Sequence, residues 1–364
     1  MTVAEAVPSD LATWDDRAVR VPGGHVYQSL AWADFSARTG WRPRHLVFDD
    51  GSVLLSLERP WPLVGGAGAY MPRGPVSAGA APETMAGRLA EATAFLAARG
   101  VDVIASDAEV AAGTGYGRYL RDLGYRPIRE IQPSRHRMSL PLPAGTTDDD
   151  IHAGITKSTR QRIRAAEEGA LAIARHDVAG WADDESLFVK PRRSAEDALD
   201  RFYDLLEATG ERRGFGFGPR SNFVPWWREA HDRGLLVYLE AVDRADAAVG
   251  GLILYRHGQR LTTVHSADRD DARDEHPGLM HLLRWRAIQL AIREGCVEMD
   301  LGGVDVAPEH AHPVAGGPMF GLYEHKRSFG AEWVEMTGAH ERVIRPWRYA
   351  LGRAAARVSR VTGR

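Results

Sequence analysis

Hydrophobic positions along the chain fall into two rounds of one alternation. In the first, "PRHLVFDD", "GSVLLSLERPW" and "GAYMPRGPV" are short apolar runs cut by Asp-Gly and Gly-Gly turn signals, and they predict strands. "APETMAGRLAEATAFLAARG" follows, where Met85, Leu89, Ala92 and Leu96 recur at helical spacing and Gly100 marks the stop. "VDVIASD" then predicts a buried strand and "GRYLRDLGY" a second helix. The second round keeps this order. "LLVYLEAV", "VGGLILYRHG" and "QRLTTVHSAD" predict an antiparallel meander. A helix from Pro277 to Gly295 carries a broad apolar stripe of Leu279, Leu282, Leu283, Trp285, Ile288, Ala291 and Ile292. "CVEMDLGGV" again predicts a strand ending in Asp.

Meander, helix, glycine stop and Asp-ended strand, met twice, imply an α+β protein of two tandem copies of one unit. The order of elements is that of the GNAT acyltransferase fold, with "YLRDLGYRP" as its helix running into a last strand. The expected units are residues 1–145 and 146–345, the second opening with a basic interdomain helix over 155–169. Residues 346–364 are expected as a basic C-terminal helix.

Length agrees with two cores, since 364 residues exceed one ordinary domain. A net charge of −3 excludes a global basic field, so nucleic acid could be held only by a local patch. The lone Cys296 excludes a disulfide framework. "MTVAEAVPSDLATWDD" has no signal-peptide pattern, and no apolar run nears the roughly 20 residues of a membrane span. The chain is read as cytoplasmic.

A GNAT unit that uses acyl-CoA holds the pyrophosphate on exposed amides of a glycine-rich loop opening its central helix. Here that loop would be "RDEHPGLMH", with one glycine and Glu275 where Arg or Gln is usual, or "APETMAGR", which also fails. Both argue against acyl-CoA. Cys296 reads as a small core residue rather than a nucleophile. His310 and His312, in "PEHAHPVAGG", read as a solvated loop, and no metal site is expected. Tyr70 and Arg73, in "AYMPRGPV", suit a phosphate or a neighbouring carboxylate equally. The helix "ITKSTRQRIRAAEEG" carries Lys157, Arg160, Arg162 and Arg164, a solvated face or a phosphate-backbone contact. "RPWRYALGRAAARVSRVTGR" is a second basic amphipathic stretch, either a polar helix end or a surface for nucleic acid or anionic membrane.

In order along the chain, "YQSLAWADFSARTGW", "YMPRGPV", "KSTRQRIRAAEEGALAI", "MDLGGV" and "GLYEHKRSFGAEWVEMTG" resemble the Fem (FemA/FemB/FemX) family of tRNA-dependent peptidoglycan aminoacyltransferases. The resemblance implies two GNAT-like units and an aminoacyl-tRNA donor. It implies as acceptor the stem-peptide amine of lipid II or UDP-MurNAc-pentapeptide. No coiled-coil insertion is present, which is FemX-like. No cofactor is implied, contact with the inner membrane face is allowed, and a monomer is expected. Lys326, one of only three lysines, matches the family lysine near the transfer centre, with His325 where an aromatic commonly precedes it. Lys157, Arg160 and Arg164 are the implied tRNA contacts. Tyr70, Arg73, Arg220 and His265 are the implied substrate contacts. Phe35 or Ser36 stands where some members have a diphosphate-binding lysine, and Thr263 or His265 where they have a tyrosine, which leans towards lipid II. Rival readings are tRNA-dependent peptide-bond formation in natural-product biosynthesis, an acyl-CoA-dependent N-acyltransferase, and a non-enzymatic RNA-binding protein.

Overall fold

A computed structural model describes residues 2–169, 171–180, 186–214, 216 and 218–361. Its strands, in chain order, are β1 (Val3–Glu5), β2 (Arg42–Phe48), β3 (Val53–Pro60), β4 (Ala67–Met71), β5 (Val101–Ser106), β6 (Arg126–Pro127) and β7 (Arg137–Pro141). They continue as β8 (Ala172–His176), β9 (Leu236–Val242), β10 (Ala248–His257), β11 (Arg260–Asp268), β12 (Glu298–Asp300), β13 (Glu332–Val334) and β14 (His340–Val343).

The predicted meanders are present. β2, β3 and β4 pair antiparallel in turn, and β4 pairs parallel with β5. In the second round β9, β10 and β11 pair antiparallel and β11 runs parallel to β12. A parallel neighbour needs a crossover. The helices Pro82–Ala97 and Leu279–Arg293 supply one each. Leu282, Leu283, Ala287, Ile288 and Ala291 of the latter are buried, which fits a helix enclosed by its sheet and neighbours. The fold is thus two tandem GNAT-like α+β units.

The division of the chain differs from the expected one. One unit comprises residues 1–135 and 335–364, the other 136–334. The sheet of the first has the order β1-β2-β3-β4-β5-β14-β6, and that of the second β13-β7-β12-β11-β10-β9-β8. Strand β7, expected in the first unit, pairs with β12 and β13. Strand β14, expected in the second, lies between β5 and β6. The basic helix Pro346–Val361 follows β14 into the first unit, where Arg345 and Arg348 both reach the buried Asp102. Residues 362–364 of that stretch lie outside the described residues.

Both Asp-ended strands use their carboxylate to fix the chain beyond them. Asp107 Oδ1 accepts the Arg73 N–H at 2.7 Å, and Asp300 Oδ1 accepts the Gly302 N–H at 2.8 Å.

Candidate active site

In the second unit the β11–β12 ladder stops at Thr262–Asp300. Beyond it, "DLGG" turns sharply, with Gly302 at φ +79°. A Cβ there would stand 2.7 Å from the Thr263 carbonyl oxygen, so only glycine fits. The helix Phe320–Arg327 brings Lys326 to this turn. Its Nζ donates to the carbonyls of Gly302 at 3.0 Å and Gly303 at 2.9 Å. Lys326 is 4% exposed. Burial first, then the neighbouring Arg284, hold its ammonium well below the ordinary lysine range, while Asp300 and Asp305 oppose the shift. The pairing with Glu324 that a surface lysine would make is absent, because Glu324 takes Arg327. An ammonium has three N–H donors, and the two carbonyls account for two of them.

His325, one residue earlier, faces another way. Its Nε2 accepts from Arg284 Nε at 3.0 Å, and its Nδ1 lies 3.2 Å from His281 Nε2. Burial first and then the Arg284 charge keep His325 neutral, and burial, followed by the Arg162 and Arg284 charges, holds His281 at about 4. These three residues line a cleft of about 650 Å³ together with Arg162, Gly278 and Leu322. It opens at the start of Leu279–Arg293, where an acyl-CoA pyrophosphate loop would stand. Three of the amides there are engaged: Leu279 donates to the His276 carbonyl, and His281 and Leu282 both donate to the Gly278 carbonyl. A bonded amide cannot also cradle a phosphate.

The other expected contacts lie apart from this cleft. Lys157 is exposed. Arg160 bonds the carbonyl of Ile155, past the end of the preceding helix Asp148–Gly154. Arg164 makes an exposed pair with Glu168. On this helix it is Arg162 that reaches the cleft, 3.5 Å from His281 Nε2. Arg220 pairs with Asp200 and Asp204 and stacks over Tyr203. His265 sits against Phe223 and Trp227, held neutral at about 4 by burial. In the first unit Tyr70 Oη donates to Asp107 at 2.9 Å, and Arg73 Nε lies 3.8 Å from Asp107 and 3.9 Å from Glu109. The phosphate-suited Arg73 thus faces carboxylates of its own unit. His310, read as solvated, is buried against Asp305, because the loop folds back through the Val306–Ala311 bridge. Cys296 is a thiol pushed up to about 12, by burial first, which suits packing rather than attack. Among the described residues no group of three metal-ligating side chains occurs.

Two cleft residues escaped the sequence reading. Arg284 and His281 stand three apart inside an apolar helix, and a cation in such a stripe is the signal that marks them.

Comparison with known proteins agrees with this architecture. The acetyltransferase (GNAT) domain family matches residues 157–327. A lipid II:glycine glycyltransferase of Staphylococcus epidermidis is 22% identical over 89% of this chain and 89% of its own. The crystal structure of FemX superposes with a TM-score of 0.76 at 18% identity, covering 96% of this chain and 99% of that one. The structure of L-PGS from Bacillus licheniformis gives 0.52 at 12% identity, covering 99% and 97%.

Proposed function

We propose that this chain, similar over nearly its whole length to a lipid II:glycine glycyltransferase and to FemX and built of two GNAT-like units, moves an amino acid from aminoacyl-tRNA to the stem-peptide amine of a peptidoglycan precursor. Glycine is the amino acid named for the relative and is the cargo proposed here. The observation that carries the reading is the cleft at the start of Leu279–Arg293: three of its amides are spent internally, while a buried lysine stands one residue from its wall.

Transfer needs no protein nucleophile, because the donor ester is already activated. The acceptor amine attacks the ester carbonyl, a C–N bond forms, and the C–O bond to the ribose breaks. The ribose oxygen leaves with the proton that the amine gives up. Lys326 is proposed to offer its remaining N–H to the oxyanion formed on the way. Much of the rate would come from holding both substrates in place. Lipid II is the favoured acceptor because it is the substrate named for the relative.

Purified chain with labelled glycyl-tRNA should modify lipid II faster than the UDP-linked pentapeptide. Failure to modify either acceptor would defeat the reading.

A further inference from the structure

Arg284 is an arginine out of place. It lies in the second turn of Leu279–Arg293, 2% exposed, between Leu283 and Trp285. Among the described residues no carboxylate pairs with it. Its Nε donates to His325, and its Nη1 has no hydrogen-bond partner. A guanidinium withdrawn from water without an anion is a standing cost to folding. Burial alone draws it down to about 10. Such a cation is explained if its anion arrives with a ligand.

Arg162, His281 and His325 line the same cleft as Arg284. Arg284 can only donate, so His325 Nε2 accepts and the His325 proton sits on Nδ1. That proton is directed at His281 Nε2, which Arg162 Nη1 also approaches, leaving the His281 proton on its own Nδ1. Asp268, the carboxylate lining this cleft, is held by Arg212 at 2.6 Å. With the Leu279, His281 and Leu282 amides already engaged, side chains are the main donors on offer, and a guanidinium fork suits a phosphate ester.

We infer that Arg284, with Arg162 and His281, is a seat for one phosphate group of the donor. An anion there would also offset the Arg284 charge that weighs on Lys326 next to His325, so donor arrival would favour the charged lysine. The donor's identity as RNA rests on the reading above; the seat itself requires only a phosphate ester, which coenzyme A also carries.

The test titrates the full chain with two probes, an uncharged RNA hairpin ending in single-stranded CCA and coenzyme A. The parent is compared with Arg284→Met and Arg284→Lys, and melting is followed alongside. The expected result is at least a tenfold loss of RNA affinity in Arg284→Met, partial recovery in Arg284→Lys, and a melting temperature for Arg284→Met no lower than the parent's. Coenzyme A bound through Arg284, with RNA ignored, would keep the seat and remove the tRNA reading. Binding of both probes unaltered by Arg284→Met would overturn the seat, as would a parent that binds neither. Should Arg284→Met unfold, that too counts against the seat and leaves Arg284 a structural cation.

Discussion

Lys326 shows how one side chain can be both strut and reagent. Its ammonium ties the Gly302 and Gly303 carbonyls, yet burial and Arg284 press against its charge. Replacing it with Met removes the donor of two carbonyl bonds, about 1–3 kcal/mol for an acceptor left unsatisfied. The same change relieves a buried cation, which acts in the opposite sense. Lys326→Met should therefore melt within a few degrees of the parent while transfer falls about 100-fold or more. Circular-dichroism melting and initial rates measure both. A folded variant with parental turnover would remove Lys326 from the chemistry. Its special status was legible, because lysine is rare in this chain and sits in a matching motif. Arg284 was not, because an arginine in a helix usually carries its charge to solvent along its own stem, and burial is a tertiary fact.

The turn after β12 is the element on which this placement depends. It exists because the parallel ladder ends at Asp300, whose carboxylate takes the Gly302 N–H, and because Gly302 slips past the Thr263 carbonyl. Gly302→Ala would force the backbone apart there and shift both carbonyls that Lys326 holds. The strain is on the order of 1–3 kcal/mol. We expect a lower melting temperature and a transfer rate reduced with Lys326 still present; parental values for both would show the turn to be incidental. The long elements were readable from period alone: strands β9 to β11 lie within the predicted meander, and Leu279–Arg293 within the predicted Pro277–Gly295. Arg160 illustrates what period cannot tell, since its bond to the Ile155 carbonyl depends on a helix break that the basic run concealed.

Across the whole molecule, two sheets of seven strands repeat one plan, but the chain does not divide where its composition changes. Strands β13 and β14 have three and four residues and pair with partners far away in sequence. Such short strands carry too little alternation to be assigned from sequence. Charge behaves likewise: a net −3 hides the fact that Arg162, His281 and Arg284 gather at one cleft. What this scale decides is which carrier delivers the acyl group. The most direct measurement presents the purified chain and lipid II with the same labelled glycine in two forms, esterified to tRNA or as a coenzyme A thioester. The account predicts product from the tRNA ester, abolished by RNase, and none above background from the thioester. Turnover of the thioester untouched by RNase, with charged tRNA inert, would contradict it.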